Sequence, residues 1–382
     1  MQRQLNGKAD FVRPLYEGDS AIQAQRPTFH ANLEALRGIA ALLVVLHHLA
    51  LNAGSFLASV PFLRQGWMFV DLFFVLSGYV IASVHAESEA TGQSARRFLI
   101  RRFFRLYPLH LVTLVAALIL VDMPSATAAL PGYGTMVALN LSMTHAWGLV
   151  PGSVLNGPSW SISTEWGAYL IFAWICLMTP VTRRRLQYLG GVGLVSLVSL
   201  IVWRDGGLDG DLLFRLPRCL MSFALGAAVW GCCRNRPPLG PNRAASIQLF
   251  VAVAMVLLLT FVERLQNLAL IMPLLSAAMI AAMVRDPGSI ARSFMEAPVP
   301  QWLGRHSYSL YLVHMPLFHF LLLGTPAGWR TTSWGANLWL AMALCALFGV
   351  VTATYALVER PWRAYGRRLA DAPARLRPRA AN

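Results

Sequence analysis

An arginine and a histidine, Arg37 and His48, stand eleven positions apart in the run Asn32 to His48, NLEALRGIAALLVVLHH. At about 100° and about 1.5 Å per residue, a helix brings both side chains within about 20° of one face and about 16 Å apart. A guanidinium can anchor an anion. An imidazole titrates near neutrality and can take a proton from a hydroxyl. The same residues also read as a topology marker at a membrane surface and a packing histidine, and spacing alone leaves both uses open. His47 points about 80° away and is read as structural. Glu34 lies one turn before Arg37 and suits a local ion pair.

Four further constellations carry polar chemistry. Asp71 sits in the apolar block Trp67 to Tyr79 with Ser77 and Gly78. An acid there must be paired or solvated, so a bond to an arginine or histidine, or else a direct catalytic role, is expected. The small pair suits close helix packing. In the run Arg96 to Pro108, Arg102 and Arg105 lie one turn apart among aromatics. Such a cluster fits phosphates through bidentate contacts, or anionic lipid headgroups. Ser161 and Glu165 share a turn behind Pro158, where the acid suits orienting an imidazole, binding a hydroxyl or capping a wet crevice. In Gly304 to Pro316, Ser307 and His314 share a face and Tyr311 lies one turn from His314. An aromatic belt and a polar packing contact are the alternatives there.

These residues need elements to hold them, and the composition says which. Of 382 residues, 56% are hydrophobic and 13% charged, and the mean hydropathy is +0.53. Those values lie far outside the soluble range and indicate an all-α integral membrane protein. The net charge of +15 comes from basic clusters between apolar blocks, the pattern of cytoplasmic loops rather than of nucleic-acid binding. The five cysteines lie in apolar segments without metal-ligand spacing, so neither disulfides nor a metal is expected.

The apolar blocks predict about ten transmembrane helices, near 36–53, 67–85, 106–123, 158–180, 187–203, 213–232, 245–262, 267–284, 303–323 and 336–358. A weak segment near 135–150 is expected to be re-entrant or interfacial. Ten crossings place every strong basic cluster on one side, whereas eleven would put Arg183 to Arg185 on the other. Both termini are then cytoplasmic. Residues 1–28 are expected to form a disordered tail, 29–366 the membrane domain and 367–382 a basic cytoplasmic tail.

LEALRGIAALLVVLHH, DLFFVLSGYVI, RRFFRLYP, PSWSISTE, SYSLYLVHMP and the closing Tyr355 to Pro361 resemble, in order, the motifs of the acyltransferase-3 family of membrane acyltransferases. The resemblance implies a ten-helix domain, expected in a bacterial inner membrane, that moves acyl groups onto hydroxyls of carbohydrates. The donor implied is acyl-CoA, most often acetyl-CoA, used as a substrate with no bound cofactor. It gives His48 the catalytic role with Arg37, and Arg102 and Arg105 the handling of the CoA donor. Glu165 or Asp71 is expected to orient the imidazole, and Ser77 or Tyr311 to steady an oxyanion. Ser161 and His314 are expected to contact substrate. Direct transfer is the expected path, with an acyl-histidine as the other. Two features differ from common members. Trp166 stands where many have a second acid, followed by Gly167-Ala168, and no soluble hydrolase-like domain is expected after Asn382. A transporter of a lipid-linked sugar or small anion, built on the same buried ions, is the alternative function.

Overall fold

A computed structural model describes residues 31–52, 56–120, 132–150, 154–202, 212–262, 266–325 and 332–372. The expected tail 1–28 lies outside the described residues. Helices α1 (Ala31–Asn52), α2 (Phe69–His85), α3 (Gly92–Leu120), α4 (Tyr133–Leu141), α5 (Ser159–Met178), α6 (Thr182–Val202) and α7 (Leu212–Cys233) come first. They are followed by α8 (Pro241–Phe261), α9 (Ile271–Val284), α10 (Ile290–Met295), α11 (Pro298–Leu323), α12 (Ser333–Thr354) and α13 (Arg360–Asp371). A 3-10 stretch, Pro61–Met68, leads into α2, and a π-helical turn, Tyr355–Glu359, joins α12 to α13. The last helix therefore runs beyond residue 366, and 373–382 lie outside the described residues.

Among the described residues, eight helices are long and apolar enough to cross a membrane, and Leu268–Val284 is a shorter apolar one. The directions of packed pairs agree with two more helices crossing. Arg37 meets Gly304 and Ser307 while His48 meets His314, so α1 and α11 run parallel. Asp71 meets Arg218 and Gly78 approaches Phe223, so α2 and α7 are parallel as well. Phe104 packs on Trp362 and Gly366 while Arg101 meets Asp371, so α3 and α13 are antiparallel. In a chain whose spans alternate in direction, all three relations hold together when α9 and α11 cross and the segment 133–150 does not. That segment folds back instead. α4 has only 9 residues, about 13 Å, and beyond it Trp147 Nε1 donates to Ser163 O on α5 at 2.9 Å. This agrees with the expected ten crossings, and α11 is less apolar than the others along the stretch that protein encloses. Every residue from His306 to His314 is buried.

Backbone contact sets the positions of the central helices. A Cβ on Gly38 would lie 2.3 Å from Gly304 N, and one on Gly304 would lie 2.4 Å from Glu34 O. α2 and α7 cross in the same way, where a Cβ on Gly78 would meet Phe223 O at 1.9 Å and one on Gly226 would meet Val75 O at 1.9 Å. In lipid, where apolar side chains gain little by leaving their solvent, such small-residue crossings let dispersion hold helices together. Two polar devices support them. Pro316 has no N–H for the carbonyl of Leu312, and Asn156 Nδ2 donates to that oxygen at 3.2 Å. Arg185, fully buried, donates to Thr179 O, Ala86 O, Ser88 O and Cys176 O at 2.7 to 3.0 Å, tying the ends of α2 and α5 to α6. The rim faces outward with apolar side chains such as Phe250, Val195 and Leu323.

Gly78→Ala is expected to cost at least about 1–3 kcal/mol through overpacking and to remove the monodisperse peak in size-exclusion chromatography of detergent-solubilised protein. Gly92→Ala, whose Cβ meets nothing within 4 Å, is expected to leave that peak unchanged.

Candidate active site

The seam between α1 and α11 carries polar groups at two levels. At the lower level Arg37 Nε donates to Ser307 Oγ at 2.8 Å and Nη2 to Gly304 O at 3.0 Å, with Glu34 3.6 Å away. Arg105 on α3 and Arg363 on α13 lie close enough to Arg37 to repel it. Both are brought there through α11. Tyr308 Oη donates to Leu106 O at 2.5 Å, and Ser309 Oγ donates to Glu359 at 2.9 Å. Glu359, its side chain 2% exposed, receives Arg363 at 3.1 Å on its other oxygen. It occupies the π-helical turn, a wound-out feature that often marks functional positions.

Three helices thus gather guanidiniums in partial burial around α11, which costs energy unless an anion joins them. Arg102 adds to the group from one turn below Arg105. Its guanidinium lies 5.7 Å from the Phe98 ring centre and 5.8 Å from that of Tyr169, and its Nε is buried without a partner. Among the described residues, neither Arg102 nor Arg105 has a carboxylate in ion-pair contact.

At the upper level His48 Nδ1 lies 2.9 Å from Val44 O and 3.3 Å from Nε2 of His314, a fully buried residue. The two rings are 4.9 Å apart at centre. Tyr311, one turn below His314, places its hydroxyl 2.8 Å from Ser161 Oγ on α5. His47 turns away to Leu63 O at 2.8 Å and holds the 3-10 stretch against α1.

The two carboxylates expected near the imidazole make their bonds elsewhere. Asp71 receives Arg218 Nε and Nη2, both at 2.7 Å, in a bidentate pair with side chains 2% and 5% exposed. Glu165 Oε1 receives Ser77 Oγ at 2.6 Å and Tyr169 Oη at 2.5 Å. The Ser77 proton is therefore committed to Glu165 rather than pointed at a substrate. Arg218, Glu359 and Arg363 were not singled out from the sequence. Arg218 had a signal, since it stands inside the apolar block 213–232 where any charge needs a partner.

The family profile described as an acyltransferase domain, acyltransferase-3, matches residues 30–359. Acyltransferase MdmB of Streptomyces mycarofaciens is 30% identical, over 90% of this chain and 94% of its own length. The peptidoglycan O-acetyltransferase OatA of Listeria monocytogenes is 25% identical over 88% of this chain, which spans 56% of that relative. No solved structure matches. The chain belongs to the acyltransferase-3 family and is a membrane acyltransferase.

The Asp71–Arg218 pair predicts a distinctive double-mutant result. Asp71→Leu alone leaves a buried cation and is expected to cost about 3–5 kcal/mol, read as a lower thermal midpoint in detergent. Asp71→Leu combined with Arg218→Met is expected to restore most of it.

Proposed function

We propose that this acyltransferase moves an acetyl group from acetyl-CoA to a hydroxyl of a carbohydrate or glycosylated acceptor, with His48 as general base. The observation carrying this reading is the two-level seam. A guanidinium cluster suited to phosphates and an imidazole suited to a hydroxyl proton lie on one face of α1, about 16 Å apart along it. Arg37, Arg102, Arg105 and Arg363 hold the phosphates of the donor, and the flexible pantetheine arm spans toward His48. His48 takes the acceptor proton as the hydroxyl oxygen attacks the thioester carbonyl. The carbon–sulfur bond then breaks, and the imidazolium returns the proton to the thiolate, giving ester and CoA thiol. The relative named a peptidoglycan O-acetyltransferase supports an acceptor of the carbohydrate class. Placing the cluster on the cytoplasmic side, with both termini, gives the donor access from the cytoplasm of a bacterial inner membrane. Membership of an acyltransferase family takes the place of the transporter alternative.

Two measurements test this. CoA titrated into purified protein by calorimetry is expected to bind about 10–100-fold more weakly to Arg105→Ala, the loss of a charge-assisted contact. Unchanged affinity contradicts the phosphate assignment. In cells, His48→Ala at normal abundance is expected to abolish acetylation of the surface glycan, and retained acetyl contradicts the base assignment.

A further inference from the structure

Packing alone does not explain His314, a histidine of the α1–α11 seam. His314 is fully buried in the most enclosed stretch of α11, where an apolar residue of similar volume would pack as well and cost less. Its Nδ1 faces the carbonyls of Leu310 and Tyr311 but is buried short of hydrogen-bond geometry with either. A buried donor left without a full partner costs about 1–3 kcal/mol. The other side of the ring explains why the cost is borne.

Tautomer logic fixes the protons. Val44 O can only accept, so His48 Nδ1, 2.9 Å from it, carries a hydrogen. His314 Nε2, 3.3 Å from that same Nδ1, must then accept and be unprotonated. The remaining His314 proton therefore sits on Nδ1, on the carbonyl side, consistent with where that atom points. With its Nδ1 protonated, neutral His48 has its lone pair on Nε2. We infer that His314 is a positioning residue that, together with Val44 O, locks His48 in the tautomer whose Nε2 is the base. This inference rests on the reading of His48 as that base.

The geometry also gives His314 a role during turnover. When His48 Nε2 takes the acceptor proton, the Nδ1–H facing His314 Nε2 becomes a charge-assisted donor and its bond strengthens. A neutral acceptor steadies the imidazolium without placing a permanent anion among apolar side chains, where a lone carboxylate would be costly. His47, 4.9 Å from His48 by ring centres, and Tyr311, 6.2 Å from His314, are the other titratable groups facing the pair among the described residues. Asp71 and Glu165 are occupied by Arg218 and by Ser77 and Tyr169.

The test uses full-length protein in membrane vesicles, following incorporation of labelled acetyl from acetyl-CoA from about pH 5 to 9, the range that brackets imidazole titration. CoA affinity and thermal stability are measured in parallel. His314→Leu keeps the volume but has no acceptor, and is expected to lower the maximal rate about 100-fold, the scale of an acid–base contribution, with CoA affinity unchanged. His314→Gln offers an amide oxygen and is expected to stay within about tenfold of the native rate. His314→Glu sets a carboxylate beside the imidazolium and is expected to move the acid limb of the rate profile upward by about one pH unit. A leucine variant at the native rate, or a glutamine variant as slow as the leucine variant, overturns the proposal. Should the leucine variant fail to fold, the glutamine rate and the glutamate pH profile decide. Full activity in His48→Ala would sink the base assignment itself, whereas an inactive His48→Ala beside a fully active His314→Leu sinks only the histidine pair.

Discussion

The contact between Gly38 and Gly304 is the constraint on which the site depends. With hydrogen alone as side chain at both positions, the backbones of α1 and α11 touch, and that touch fixes their relative height. Once Arg37 is seated on Gly304 O and Ser307, two parallel helices of equal rise must bring His48 level with His314 about three turns higher. No separate device is needed to align the two polar levels of the seam. The second glycine crossing, Gly78 with Gly226, does the same for α2 and α7 and so sets Asp71 against Arg218. Helix handedness and rise, once pinned at one point, do the remaining positioning.

Charges inside this bundle divide into two groups. Asp71 with Arg218, Glu359 with Arg363 and Ser309, and Arg185 with four carbonyls are each satisfied by protein, as buried charges must be. Asp71–Arg218 and Arg185 connect helices distant in sequence and belong to the architecture. Arg102 and Arg105 form the other group, held near Arg363 and, among the described residues, without a carboxylate in ion-pair contact. Gathering cations there works against stability, because like charges repel and burial penalises them. His314 belongs with them, because its buried Nδ1 also lacks a full partner. Among the described residues such atoms are not confined to the α1–α11 seam, since His110 Nδ1 on α3 and Ser222 Oγ on α7 are also buried short of a partner.

Much of this was legible in the chain. The eleven-residue spacing of Arg37 and His48 gave their shared face, because α1 is an unbroken helix that obeys the simple period. Charge asymmetry gave the ten crossings, and helix directions agree with it. Partners were not legible. Asp71 and Arg218 are 147 positions apart, and Ser309 and Glu359 are 50 apart, so no local period connects them. Asp71 has the arginine partner expected for it, but a carboxylate in an apolar block announces only that it needs a partner and not which one. The ambiguity near 135–150 arose because a segment folded against α5 carries the same apolar residues as a crossing one. Glu359 was hidden by an extra residue of π-helical winding that no α-helical wheel anticipates.

The most direct measurement is a cryo-electron microscopy structure of the protein in lipid nanodiscs with a non-hydrolysable thioether analogue of acetyl-CoA. The predicted result places the phosphates among Arg37, Arg102, Arg105 and Arg363, with the pantetheine arm along α1 and the carbonyl carbon beside His48 Nε2. A nucleotide bound elsewhere, with His48 turned to lipid and no path between it and the guanidiniums, would contradict it.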